Sequence, residues 1–146
     1  MTDQRQAVVA EALSWERTPW HHRARIKGAG VDCGMFVAEV YERTGVVPHI
    51  EPGDYPSDWM QHRTESPMIG WVERYCDRVD GDALPGDIVL FAFGLCVSHA
   101  AIVIEWPRII HAYIKARAVV QDDVLANAAL AQRVAGIWRP RAWGDA

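Results

Sequence analysis

The sequence predicts a single α+β domain in which N-terminal helices pack on a C-terminal antiparallel sheet. Helical periodicity dominates the chain up to Val79, whereas apolar runs bounded by turn residues dominate from Leu84 onward. A chain that forms its helices before its strands is typical of the α+β class. Its 146 residues, half of them hydrophobic, are enough for one domain, 1–146, with a substantial core.

The first helix is predicted over residues 3–16, whose apolar side chains recur at helical spacing and which Pro19 brings to an end. The segment from Thr18 to Gly30 has no clean period and is predicted to be a loop that carries binding groups. A later helix is predicted from Met68 to Val79 because apolar residues again recur on one face. Cys76 belongs to that face and is therefore expected to be a core residue.

The central helix is predicted between Asp32, a good N-cap, and Gly45, a good stop signal. Its apolar face comprises Cys33, Phe36, Val37, Val40 and Tyr41, and its polar face comprises Glu39, Glu42 and Arg43. This pattern predicts a helix that is buried along its length. Residues 46–67 contain four prolines and are predicted to be irregular, with at most one short helix near Ser57 to His62.

Strands are predicted in the second half at IVLFAF (88–93), HAAIVIEW (99–106) and IIHAYI (109–114). Residues 122–133 are predicted to form a helix with Asp122 or Asp123 as its cap. The segment GIWRP (136–140) is predicted to be the last strand. An antiparallel sheet built from these strands would pack on the central helix.

The charge and the apolar runs argue against several classes of protein. The formal net charge is −4, so the chain lacks the basic excess of a nucleic-acid-binding protein. The N-terminus has no apolar signal-peptide core, and the longest apolar run, from Ile88 to Ile104, is interrupted and too short for a membrane span. We therefore expect a protein that is cytoplasmic at synthesis. Three cysteines without an export signal favour free thiols.

Cys33 is the candidate nucleophile. In the first turn of a helix, unpaired N–H groups favour a thiolate, so its pKa is expected to fall below that of a free thiol. His99 and His111 are the candidate partners because each lies six residues from a turn near residue 105, which places both on one face of a hairpin. One imidazole then takes the thiol proton while the other orients it, as in cysteine hydrolases.

Structural roles compete with each of these assignments. Free cysteine is commonly buried in a core, and either histidine alone is explained by a hydrogen bond on a half-buried sheet. Asp32 is explained by helix capping more readily than by contact with substrate. His21 and His22 are adjacent and point apart on a loop, with no HxxxH or CxxC motif, so no metal site is predicted.

Four segments carry a resemblance to a known family. VDCGMFVAEVYE, LPGDIVLF, SHAAIVI and IIHAY follow one another after a TPxHH segment. In order and spacing they resemble the NlpC/P60 superfamily of papain-like cysteine peptidases, and most of all its phage cell-wall peptidase subgroup. The resemblance implies a papain-like fold with Cys33 as nucleophile, His99 as base and His111 as the third polar residue. It also implies a peptidoglycan stem peptide as substrate, cleaved after a γ-linked D-glutamyl unit, and no cofactor.

Two positions depart from the family pattern. Gly34 follows the cysteine where the family commonly has serine, and Trp20 stands where many members have tyrosine. Both changes bear on how the substrate is placed. The backbone N–H of Cys33 and a second donor from the preceding loop would form the oxyanion hole. The substrate-binding candidates are Trp20, His22, Asp32 and Ser98.

These expectations describe a cysteine endopeptidase or amidase that acts on bacterial cell-wall peptides. Because the sequence shows no export signal, the resemblance favours a component of a phage or prophage particle, with phage tail proteins as partners. Two alternatives stay open. One is a non-catalytic tail assembly protein that keeps the fold, and the other is an acyltransferase or deamidase that uses the same cysteine and histidines.

Overall fold

The three longer helices precede the strands of the main sheet in the computed structural model, which describes residues 3–51 and 66–144. The helices are α1 (Asp3–Leu13), α2 (Cys33–Arg43), α3 (Pro67–Glu73) and α4 (Ala128–Ala131). The strands are β1 (Arg25–Ile26), β2 (Gly30–Val31), β3 (Cys76–Val79), β4 (Ile88–Phe93), β5 (Cys96–Glu105), β6 (Arg108–Tyr113), β7 (Ala118–Asp123) and β8 (Val134–Pro140). Strands β1 and β2 pair with each other, and the other six form one antiparallel sheet in the order β3-β8-β4-β5-β6-β7. The predicted α+β class is confirmed.

The central helix α2 has the predicted cap and the predicted stop. Asp32 Oδ1 accepts a hydrogen bond from the Met35 N–H at 2.9 Å, and Gly45 follows the helix with a φ of +78°. Every residue from Met35 to Tyr41 is buried, including Glu39, which the sequence placed on the polar face. The carboxylate of Glu39 is buried because Arg25 donates to it at 2.7 Å from the preceding loop.

The six-stranded sheet has an apolar core on each face. One core contains α1 and α2 residues together with Leu90, Ala100, Ile102, Ile110 and Ala112. The other contains Val89, Phe91, Ala101, Val103, Ile109, Tyr113 and Leu130 of α4. Since side chains alternate along a strand, the odd-numbered residues of β5 from His99 to Val103 and those of β6 face away from α2. His99 and His111 therefore lie on the α4 side of the sheet.

Two of the predicted helices are confirmed only in part. The helix predicted from Met68 to Val79 ends at Glu73, and its last four residues form the edge strand β3 against β8. Cys76 is buried as predicted, but on a strand. The helix predicted over 122–133 is replaced by the end of β7 and the short α4. In both segments, pairing with a neighbouring strand overrides the local helical pattern.

The remaining predicted elements differ in detail. The first helix ends at Leu13, and the loop from Thr18 to Gly30 contains the start of the short β1–β2 pair. The short helix predicted near Ser57 to His62 lies outside the described residues. None of the described helices is long and apolar enough to span a membrane.

A buried charge cluster joins the two ends of the described chain. Arg5 of α1 and Arg139 of β8 both bind Asp87, which precedes β4, with N–O distances of 3.0 and 2.8 Å. All three side chains are buried, and the Trp143 ring lies 4.5 Å from the Arg5 guanidinium carbon. The cluster fixes α1 and β8 to the turn that begins β4.

Candidate active site

The tip of α2 lies against the beginning of β5. Cys33, the first residue of the helix, is half-buried, and its Sγ donates a hydrogen bond to Ser98 O at 3.6 Å. Ser98 directly precedes His99 in β5. The fold therefore brings the candidate nucleophile to the residue that precedes the candidate base, and the sulfur is bonded to a carbonyl and not to an imidazole.

Strands β5 and β6 separate at the level of Cys33. Their register extends from Glu105–Arg108 to Ile102–Ile110, and the earlier residues of β5 pair with β4. The Val103 N–H is bonded to Asp87 O on the β4 side, so the Ala100 N–H points toward β6. The Ala100 N–H acts on the Cys33 thiol and Ser98 O accepts its hydrogen bond, so the sulfur lies at this opening.

The two candidate histidines are in direct contact. His99 Nε2 lies 2.7 Å from His111 Nδ1, and both rings are buried, His111 completely. The predicted contact between the two histidines is present, but β5 and β6 pair in a different register from the predicted one. The hairpin turn falls at Trp106 and Pro107, and continuing the pairing places Tyr113 opposite His99. His111 is thus the diagonal neighbour of His99 on the same face.

A carboxylate that was one of two predicted helix caps completes the chain of polar groups. Asp122 Oδ2 lies 3.3 Å from His111 Nε2 and also accepts a hydrogen bond from Asn127 Nδ2 at 3.2 Å. Val120 pairs with His111 across β6 and β7, so Asp122 shares its face. Recognising residues 118–123 as the second strand of a hairpin would have revealed this contact.

Burial dominates the electrostatics of the site. It lowers the pKa of His99 well below its ordinary value, and the neighbouring His111 lowers it further. It also lowers the pKa of His111 to about 4, although the Asp122 carboxylate acts in the opposite direction. Both imidazoles are therefore neutral at pH 7.

The expectation that the Cys33 pKa is depressed is wrong. Burial, followed by the Asp32 charge, raises the pKa of this thiol to about 12. The amides of Gly34 and Cys33 at the helix end favour the thiolate, as does the Ala100 amide of β5. Each of these effects is smaller than that of burial. The resting site holds a protonated thiol beside two neutral imidazoles.

Aromatic rings enclose the histidine pair. The rings of Phe91, Phe93 and Tyr113 have centroids 5.5, 5.7 and 5.5 Å from that of His99. Tyr113 also stacks on His111 with a centroid distance of 4.6 Å. These contacts restrict the orientation of both imidazoles. Across residues 3–51 and 66–144, no three His, Cys, Asp or Glu side chains come together to hold a metal ion.

The four substrate-binding candidates lie around α2 and β5. Trp20 is half-buried and its backbone N–H donates to Arg117 O, while the His22 carbonyl lies 3.1 Å from His21 Nδ1. Asp32 is buried and holds two backbone amides, and the Ser98 hydroxyl donates to Phe93 O at 3.0 Å. The side chains of Asp32 and Ser98 thus form hydrogen bonds with backbone groups of this protein. Substrate binding by the four residues stays a prediction.

A helix that presents a cysteine from its first turn to an antiparallel sheet with two hydrogen-bonded histidines defines an α+β protein with a candidate cysteine–histidine site. The chain belongs to the NlpC/P60 family, whose model matches residues 17–139. No curated protein sequence matches it.

Solved structures share the fold. An NlpC/P60 family protein from Bacillus cereus ATCC 10987 has a TM-score of 0.69 at 21% identity, over 93% of this chain and 40% of that one. The NlpC/p60 domain of the peptidoglycan hydrolase SagA has a TM-score of 0.59 at 23% identity, over 85% and 92%. The peptidoglycan hydrolase RipB from Mycobacterium tuberculosis has a TM-score of 0.57 at 18% identity, over 94% and 62%. The chain therefore spans about two-fifths of the Bacillus protein and nearly all of the SagA domain.

Proposed function

We propose that this protein is a cysteine hydrolase that cleaves the stem peptides of bacterial peptidoglycan. The observation that carries the proposal is the hydrogen-bonded pair of His99 and His111 beside the helix end that bears Cys33. Membership of the NlpC/P60 family supports it, and two structures with the same fold, SagA and RipB, are named peptidoglycan hydrolases.

The mechanism starts from a neutral thiol and a neutral base. His99 Nε2 is engaged with His111, so Nδ1 is the ring nitrogen that is left to accept the Cys33 proton. The sulfur gives up its bond to Ser98 O and attacks the scissile carbonyl as the proton moves to His99. The imidazolium of His99 then protonates the leaving amine, and water hydrolyses the thioester. His111 accepts the His99 N–H throughout and stabilises the imidazolium.

Digestion of purified muropeptides, followed by mass spectrometry, tests the proposal. The wild-type protein is expected to release fragments cleaved after the γ-linked D-glutamyl unit, and Cys33→Ala is expected to release none. Cys76→Ala is the matched control because Cys76 is a free cysteine on β3, away from both histidines. Circular dichroism confirms that each variant is folded. Absence of cleavage by the wild-type protein, or equal cleavage by Cys33→Ala, contradicts the proposal.

One observation favours the non-catalytic alternative, in which the fold serves assembly of a phage tail. The Cys33 thiol is bonded to a carbonyl and its pKa is raised to about 12, which is the state of an inert cysteine. Reaction of the protein with a peptide aldehyde, which traps an active cysteine as a hemithioacetal, separates the two functions. A Cys33 adduct supports the hydrolase, and an unmodified Cys33 supports the assembly protein. Association with a phage particle rests on the sequence resemblance alone.

A further inference from the structure

The Asp122 carboxylate has no role in the proposed catalytic steps, but it ends the row of polar groups that begins at His99. Its Oδ2 contacts His111 Nε2 at 3.3 Å, and His111 Nδ1 contacts His99 Nε2 at 2.7 Å. Asp122 is itself held in place, because Asn127 donates to Oδ2 and the Asp123 N–H donates to Oδ1 at 3.0 Å. The row extends from β7 through β6 to β5.

The chemistry of these groups determines the direction of each hydrogen bond. An ionised carboxylate only accepts, so the proton between Asp122 and His111 belongs to His111 Nε2. A neutral imidazole carries one N–H, so Nδ1 of His111 must accept, and the proton between the rings belongs to His99 Nε2. The remaining nitrogen of His99, Nδ1, is then unprotonated, as a base that faces a thiol requires.

We propose that Asp122 is a positioning residue that fixes the tautomers of His111 and His99 and so keeps His99 Nδ1 free to accept the Cys33 proton. The catalytic part of this inference rests on the proposed function, whereas the assignment of the tautomers rests on the hydrogen bonds alone. Without the carboxylate, the row no longer ends in a group that can accept a hydrogen bond but not donate one. Both imidazoles are then free to adopt the opposite tautomer. His99 would then carry its proton at Nδ1 and could not act as the base.

Four charged or titratable groups lie near His111, and one of them, Asp122, accepts a hydrogen bond from His111 Nε2. His99 contacts it from β5, Tyr113 stacks on it from β6 and Asp122 faces it from β7. Arg133, which follows α4, lies over the Phe93 ring at 5.0 Å and acts on Tyr113. Of these groups, Asp122 is the one that makes a hydrogen bond to His111 Nε2.

Two-bond proton–nitrogen NMR correlations of the folded protein at pH 7 read the tautomers directly. Both His99 and His111 are expected as Nε2–H tautomers in the wild-type protein. In Asp122→Asn the side-chain amide can donate to His111 Nε2, so both rings are expected to change to Nδ1–H. Asp123→Asn is the matched control, because Asp123 Oδ1 binds the amides of Leu125 and Ala126 and touches neither ring. Its spectrum is expected to equal that of the wild type.

Muropeptide hydrolysis then separates positioning from a merely structural role. Asp122→Asn is expected to lower kcat by at least about tenfold with little change in KM, a part of the roughly 10²–10⁴-fold that a positioned base contributes. Asp122→Glu should restore part of that loss, and Asp123→Asn should retain full activity.

The inference and the proposed function fail in different ways. An Nδ1–H tautomer of either histidine in the wild-type protein overturns the inference, and this measurement needs neither a variant nor a substrate. An unchanged spectrum or an unchanged kcat in Asp122→Asn also overturns it. If the wild-type protein hydrolyses nothing, the proposed function fails, and the spectra still decide the role of Asp122 in fixing the tautomers.

Discussion

The Asp32 carboxylate caps α2 and at the same time raises the pKa of the adjacent Cys33 thiol. Its Oδ1 holds the Met35 N–H, while its charge adds to the effect of burial on the sulfur. A helix N-terminus attracts negative charge, and here Asp32 supplies that charge before the thiol ionises. The cap that forms the helix thereby adds to the larger effect of burial, and both keep the Cys33 thiol protonated in the resting protein.

Replacing Asp32 should separate these two effects. Asp32→Asn keeps an oxygen at the N-cap but removes the charge, so the Cys33 pKa is expected to fall and its alkylation at pH 8–9 to accelerate. Asp32→Ala should accelerate alkylation similarly but also lose about 1 kcal/mol of stability with the cap. Iodoacetamide labelling at several pH values, with peptide mapping of Cys33, measures this. Identical labelling rates in Asp32→Asn and the wild type would show that the charge has no effect on the thiol.

Acid should destabilise the fold through its buried histidines. Burial lowers the pKa of His99 and His111 below the value of about 6.5 that holds in the unfolded chain. The unfolded state therefore binds more protons, and the free energy of unfolding decreases as the pH falls from about 6.5 toward 4. Urea denaturation at pH 7, 6 and 5 measures the decrease, which should be smaller in His111→Gln. An equal decrease in that variant contradicts the assignment of neutral buried imidazoles.

The buried charge cluster should contribute strongly to stability. Asp87→Ala leaves Arg5 and Arg139 buried without their carboxylate, so the free energy of unfolding is expected to fall by about 3–5 kcal/mol. The control is Asp77→Ala, which removes an ion pair with Arg141 at the surface and should cost less than about 1 kcal/mol. Thermal denaturation followed by circular dichroism compares the two variants. Similar losses in both would mean that the cluster is no more important than a surface pair.

The sequence predicted the elements whose signals are local. Asp32 and Gly45 bound α2 as capping rules require, and apolar runs located β4, β5 and β6. The contact of His99 with His111 followed from their similar distances to one turn. These features depend on neighbours along the chain or on a single hairpin.

Features that depend on distant partners were not predictable from the pattern. The β7 segment ends in two aspartates that are good helix caps, and only its pairing with β6 makes Asp122 a neighbour of His111. The Cys33 pKa was mispredicted because burial of the sulfur beside β5 outweighs the local helix-end effect. Burial of Glu39 likewise required Arg25, which comes from the preceding loop.

Covalent attachment of substrate to Cys33 is the most direct test of the account. The protein is mixed with stem peptide, quenched in acid during the first turnovers and analysed by intact-mass measurement and peptide mapping. We expect a mass increase equal to the acyl half of the substrate, as a thioester on the peptide that contains Cys33, and no increase in Cys33→Ala. Cleavage that proceeds at an undiminished rate in Cys33→Ala, with no adduct on Cys33 in the wild type, would contradict the account.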